Sequence, residues 1–220
     1  PDAAITPAPA DLLPERWHDF GVALLLQRDF DDAARAFAEL NKRYPQYVLG
    51  HVGTARLALA MGEPQKAKSA LEKARAALEQ SAEVDWVKHA RVPALYATAQ
   101  LAGGEYEDAV AGFSDVLARY PQDRSLDVDL GYALFQLGKM DESVASYRAA
   151  LALDPDDGAA WSMLARAEEK RGNAEAAASA QAIFDALREE VGVQGLREQY
   201  LAKHPGDLVE SEAAHVHGGW

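Results

Sequence analysis

Arg43-Tyr44-Pro45-Gln46 returns as Arg119-Tyr120-Pro121-Gln122, with the two prolines 76 residues apart. Each copy follows a stretch whose apolar residues recur at helical spacing. Proline cannot continue a helix, so the tetrapeptide reads as a stop used twice. Other spacings show what lies between the stops. Gly104, Gly138 and Gly172 follow one another at 34 residues, as do Phe113 and Tyr147, and Pro121 and Pro155. Gly62 to Gly104 and Ala55 to Ala97 are 42 each, and Trp17 to Trp161 is 144. A single period of 34 explains every interval if eight extra residues lie between about Ser81 and Ala90.

Each period holds two amphipathic stretches. In the first, Trp17, Gly21, Leu24 and Leu25 form one stripe, and Phe30, Ala33, Ala34, Phe37 and Leu40 its partner. The expected helix pairs are 14–27 and 30–43, 47–61 and 64–80, 84–102 and 106–119, 124–137 and 140–153, and 158–171 and 174–190. Gly62, Gly103-Gly104, Gly138 and Gly172 supply the left-handed backbone that closes a hairpin. Pro64 suits a first helical turn, and Pro93 predicts a kink or a broken start. A lone pair of helices cannot bury both apolar faces, so stacked neighbours must complete the core. The expected fold is all-α, a right-handed α-solenoid of five helical hairpins. The hairpins span 14–47, 48–81, 90–123, 124–157 and 158–191, with an insertion at 82–89. A Pro/Ala-rich segment at 1–13 precedes the array, and a capping helix within 192–205 and a tail at 206–220 follow it.

Composition narrows the function. Lysine and arginine number 22 against 35 aspartates and glutamates, a net charge of −13. That field repels phosphate backbones and anionic membranes and argues against nucleic acid as a partner. No apolar run approaches the roughly 20 residues that span a bilayer. The absence of cysteine removes disulfides, thiol catalysis, thiolate zinc sites and covalent haem within this chain. Such a chain suits either the cytoplasm or a bacterial periplasm. The opening Pro1-Asp2-Ala3-Ala4-Ile5-Thr6-Pro7-Ala8-Pro9-Ala10 reads as an exposed linker and tilts the expectation toward periplasmic or extracellular placement.

Trp17, Gly21, Leu24, Phe30, Ala33, Phe37 and Pro45 resemble the pattern of the tetratricopeptide repeat family. So do Ala97, Gly104, Tyr106, Ala109, Phe113 and Pro121, and Gly131, Leu134, Gly138, Tyr147 and Pro155. The resemblance spans about residues 14–191. His51, Pro64, Glu79 and Gln181 depart from it; the last suits a terminal repeat that meets solvent. The family implies a non-catalytic scaffold whose first helices line a concave groove for a partner segment. The matching positions are His18, Val22, Leu25, Val52, Arg56, Leu59, Arg91, Ala94, Thr98, Leu101, Val128, Tyr132, Phe135, Ser162 and Arg166. Apolar side chains with spaced arginines would suit an amphipathic or acidic–apolar segment, although each Val or Leu would serve equally well in packing between repeats. The lysine–asparagine clamp by which one subclass holds chaperone C-termini is absent, its positions being His18, Val22, Val52 and Arg56.

Two further readings compete with the scaffold. The stretch from Glu15 to Leu26, with Tyr200 and His204-Pro205-Gly206-Asp207, resembles arrays that follow multihaem c-type cytochromes in exported bacterial proteins. It implies an array working beside a multihaem cytochrome, with any haem held by that partner chain or by a domain outside this sequence. At the C-terminus, His215 and His217 with flexible glycine amides form a candidate Cu(II) or Ni(II) site, and an unstructured tail would read the same way. No other cofactor is expected. The remaining histidines stand singly and form no His-Glu-x-x-His pair, so an enzyme is not expected. Asp154-Pro155-Asp156-Asp157-Gly158 lacks the ligand spacing of a calcium loop and reads as helix capping. Asp127-Val128-Asp129 sits on a helix with one aspartate outward and reads as a solvated face.

Overall fold

The computed structural model describes residues 13–79, 91–189 and 193–203. Among them are eleven helices and no strand, and the fold is an all-α solenoid of helical hairpins. The helices are α1 (Pro14–Leu26), α2 (Phe30–Arg43), α3 (Val48–Ala60), α4 (Pro64–Leu78), α5 (Val92–Ala102) and α6 (Tyr106–Leu117). They continue with α7 (Arg124–Gln136), α8 (Met140–Leu153), α9 (Gly158–Arg171), α10 (Ala174–Glu189) and α11 (Val193–Lys203). The expected boundaries hold within a residue or two for most helices. Pro64 and Pro93 each sit in the first turn of their helix, so Pro93 opens α5. The insertion at 82–89, like the segment 1–12 and the tail beyond 203, lies outside the described residues.

The chain divides into two compact units, one ending at Glu105 and one beginning at Tyr106. In the N-terminal unit α1 pairs with α2 and α3 with α4, α2 leans on α3, and α4 on α5. Its core joins Phe37, Leu40 and Leu57 to a second cluster around Val48, Val52, Leu71, Leu78 and Val92. The C-terminal unit packs α6 on α7, pairs α7 with α8 and α9 with α10, and closes with α11 on α10. Tyr147, Leu151, Trp161, Leu164, Ile183 and Tyr200 are its buried centre. Tyr200 of α11 meets Trp161 edge-on with ring centroids 5.1 Å apart, so α11 covers the last hairpin as a cap should.

Three local devices recur with the 34-residue register. First, in the first and fourth hairpins the aromatic of the second helix lies against a glycine of the first. A Cβ on Gly21 would come within 2.6 Å of Phe37, and one on Gly131 within 2.7 Å of Tyr147. Second, every hairpin closes on the same six-residue backbone bond: Asp29 N–H to Leu24, Glu63 to Ala58, Glu105 to Gln100, Lys139 to Leu134 and Asn173 to Glu168, at 2.8–3.0 Å. The residue in the left-handed conformation is glycine in four turns and Arg28, at φ 62°, in the first. Third, the stop before a repeat provides a hydrogen-bond acceptor. His51 Nε2 lies 2.8 Å from the Pro45 carbonyl, and Trp161 Nε1 donates to the Pro155 carbonyl at 2.9 Å.

Candidate functional site

Hairpin stacking sorts the side chains of each unit into those facing the neighbouring repeat and those left over on the first helices. In the N-terminal unit α1 packs on α3 and α3 on α5. Val22 and Leu25 on α1, Leu59 on α3, and Ala94, Thr98 and Leu101 on α5 are half-buried there. Val22, Leu25 and Leu59 also touch the core, so they fill both roles that the sequence left open. Val52 does not. It is fully buried within the α3–α4–α5 cluster and belongs to the core, because its stripe faces the following repeat.

The polar members of this face converge. His18 is 9% exposed; its Nδ1 lies 3.4 Å from the Asp19 carboxylate, while Nε2 is buried without a hydrogen bond. Burial pushes the imidazole below its ordinary range, the Asp19 hydrogen bond works against that, and the charges of Arg91 and Arg56 add to the depression. Arg91, just ahead of α5, is held down by burial and by Arg56. These three side chains thus share one electrostatic neighbourhood on α1, α3 and the start of α5.

In the C-terminal unit Val128, Tyr132 and Phe135 of α7 and Ser162 of α9 are half-buried, and Arg166 is exposed. The Arg166 guanidinium stacks over the Phe135 ring at 5.4 Å from the centroid, which presents a cation on an aromatic platform. Tyr132 is on the same helix one turn before Phe135.

The structure changes the reading of one acidic stretch and agrees with that of another. Asp127 is 8% exposed, so this part of α7 is no solvated face; burial first, and Asp123 second, push its carboxyl up to about 6. It stands at the register position of Trp17, His51 and Trp161. Asp154, Asp156 and Asp157 do cap and tie helices: Asp157 accepts from the Ala160 N–H at 3.0 Å and Asp154 from Asp156 at 3.0 Å. Arg124 pairs with Asp154, and Arg197 of α11 with Asp156. Among the described residues no group of three or more histidine, aspartate or glutamate side chains is placed to hold a metal ion. No described helix is long and apolar enough to cross a membrane. His215 and His217 lie outside the described residues.

One feature escaped the sequence. A cleft of about 400 Å³ opens on the first hairpin, lined by Trp17, Phe20, Ala36 and Ala38 with Arg35, Glu39 and Lys42. Its signal was present in the exposed ring of Phe20, but nothing in the periodic pattern separates an unfilled stripe from a filled one.

Comparison with known proteins agrees with this architecture. Two tetratricopeptide repeat models match, one at residues 95–157 and 128–187 and the other at 24–88. A search of curated proteins gave no match. Among solved structures, MamA from Desulfovibrio magneticus RS-1, from residue 41 onward, superposes with a TM-score of 0.68 at 15% identity. That match covers 81% of this chain and 96% of that one. MamA of AMB-1 gives 0.60 at 21% identity over 82% and 94%, and MamA of MSR-1 gives 0.62 at 20% over 81% and 98%. At these identities the likeness is one of fold. From repeat register, hairpin geometry and matching models together, the chain belongs to the tetratricopeptide repeat family.

Proposed function

We propose that the protein is a non-catalytic scaffold that captures an acidic–apolar segment of a partner protein on the first-helix faces of its hairpins. The observation that carries this reading is the composition of those faces. Half-buried Val22, Leu25 and Leu59 accompany His18, Arg56 and Arg91 in one unit, and Tyr132 and Phe135 accompany Arg166 in the other. The protein as a whole carries −13 charges, so cations gathered beside apolar surface are a departure from its average surface. The second-helix faces offer instead pairs closed within the chain, such as Arg43 with Glu39 at 2.6 Å and Lys66 with Glu63 at 2.8 Å.

Charge reversal tests it. Arg56→Glu and Arg166→Glu should each weaken capture of the native partner from extract by about tenfold, the loss of one charge-assisted contact, with an unchanged helical circular dichroism signal. Equal capture by wild type and both variants would contradict the reading.

A further inference from the structure

We propose that the cleft on the first hairpin receives the chain's own Pro/Ala-rich segment, residues 5–12, which lies extended along it with one carbonyl accepting from the Trp17 indole. This goes beyond the partner-capture reading and uses side chains that reading leaves aside.

The repeat register shows what the cleft lacks. In the second hairpin the position of Phe20 is held by Thr54, whose hydroxyl oxygen accepts from the Asn41 amide of α2 at 2.9 Å. That stripe of a first helix therefore faces the second helix of the hairpin before it. Among the described residues no helix precedes α1, and Phe20 stands exposed at the cleft with Trp17, Ala36 and Ala38. The position of Trp17 is the second, independent observation. Its counterparts His51 and Trp161 each reach the carbonyl six residues earlier, at 2.8 and 2.9 Å. Trp17 is 6% exposed and lines the cleft, yet its Nε1 has no hydrogen-bond partner. A buried indole N–H requires an acceptor. Six residues before Trp17 is Asp11, in the segment that leads directly into α1.

The chemistry of that segment suits the vacancy. Pro7 and Pro9 exclude a helix and favour the polyproline-II conformation, which forms no internal hydrogen bonds and leaves its carbonyls free to accept. Aromatic side chains beside such a groove are the surface on which polyproline segments dock. Small Pro and Ala side chains fit against Ala36 and Ala38, and Lys42, in the same cleft and 3.9 Å from Glu39, offers a cation to Asp11. Length agrees as well. Eight residues in this conformation reach about 25 Å, and the 14 residues of α2 extend about 21 Å. Because the segment is joined to Leu13, it docks without the loss of translational freedom that a separate chain suffers, which favours it over a second copy or another protein.

The test is NMR of the isotope-labelled full chain, in which Trp17→Phe identifies the Trp17 indole signal among the four tryptophans. Nuclear Overhauser contacts should join the Trp17 indole and the Phe20 ring to Pro7 and Pro9 within one chain, unchanged on dilution. Ala38→Trp, at an exposed position of the cleft, should fill it, with loss of those contacts and narrowing of the signals of residues 5–11. Contacts that survive Ala38→Trp would overturn the assignment to this cleft. Contacts found only between labelled and unlabelled chains would give the cleft to a second copy, and Trp17 and Phe20 signals that shift only on addition of native extract would give it to another protein. Either result, or an absence of contacts with random-coil shifts throughout residues 5–12, would overturn the proposal.

Discussion

Asp127 shows how one residue can sit against the pattern that surrounds it. At its register position His51 and Trp161 contact the carbonyl of the proline six residues earlier, and a carboxylate cannot donate such a bond. Buried, with its carboxyl pushed up to about 6, Asp127 binds its proton more tightly in the folded chain than in the unfolded one. The stability that this adds is complete below the unfolded value near 3.8 and is lost as pH rises to about 6. Asp127→Asn, which keeps the shape and cannot ionise, should therefore melt higher than wild type at pH 7. A gap of about 2–4 °C corresponds to roughly 1 kcal/mol in a chain of this size. The gap should close near pH 4, and one of equal size at both pH values would contradict the assignment. Burial of this residue was hidden because aspartate beside aspartate on a helix reads as a solvated face, and only the registered comparison with Trp17 places it inward.

At the scale of the element, helices and stops were plain from spacing, since a proline or a glycine at a fixed interval leaves the chain few alternatives. The first turn is the exception. Asp29 to Leu24 closes it with the bond that glycine closes elsewhere, yet Arg28 takes the left-handed conformation at φ 62°. No glycine marked that turn, so the first hairpin was recognised through its two apolar stripes and the shared period. A side chain there costs about 1 kcal/mol relative to an unstrained one, less whatever the Arg28 contact with the Phe30 ring at 5.7 Å returns. Arg28→Gly should raise the urea midpoint without changing the slope, and a lowered midpoint would show that the side-chain contact outweighs the strain. Val52 makes the complementary point. A valine on an inner stripe serves packing or binding equally well on paper, and only stacking of α3 against α4 and α5 decided for packing.

For the molecule, period and apolar stripes specified an all-α repeat array because each hairpin has a face that only another hairpin can cover. The binding faces were legible as positions, and their chemistry was not. That Arg56 and Arg91 gather beside a buried imidazole, and that Arg166 rests on Phe135, depends on rotamers and on contacts between repeats that spacing does not carry. The central claim is that these first-helix faces, and no others, receive the partner. It is tested by placing a photo-crosslinking amino acid at Leu59 or Tyr132 on the first helices, and at Glu72 or Ser114 on the second helices. Each variant is irradiated in native extract. The account predicts one shared adduct from Leu59 and Tyr132 and none from Glu72 or Ser114; the same adduct from all four positions, or from the second helices alone, would contradict it.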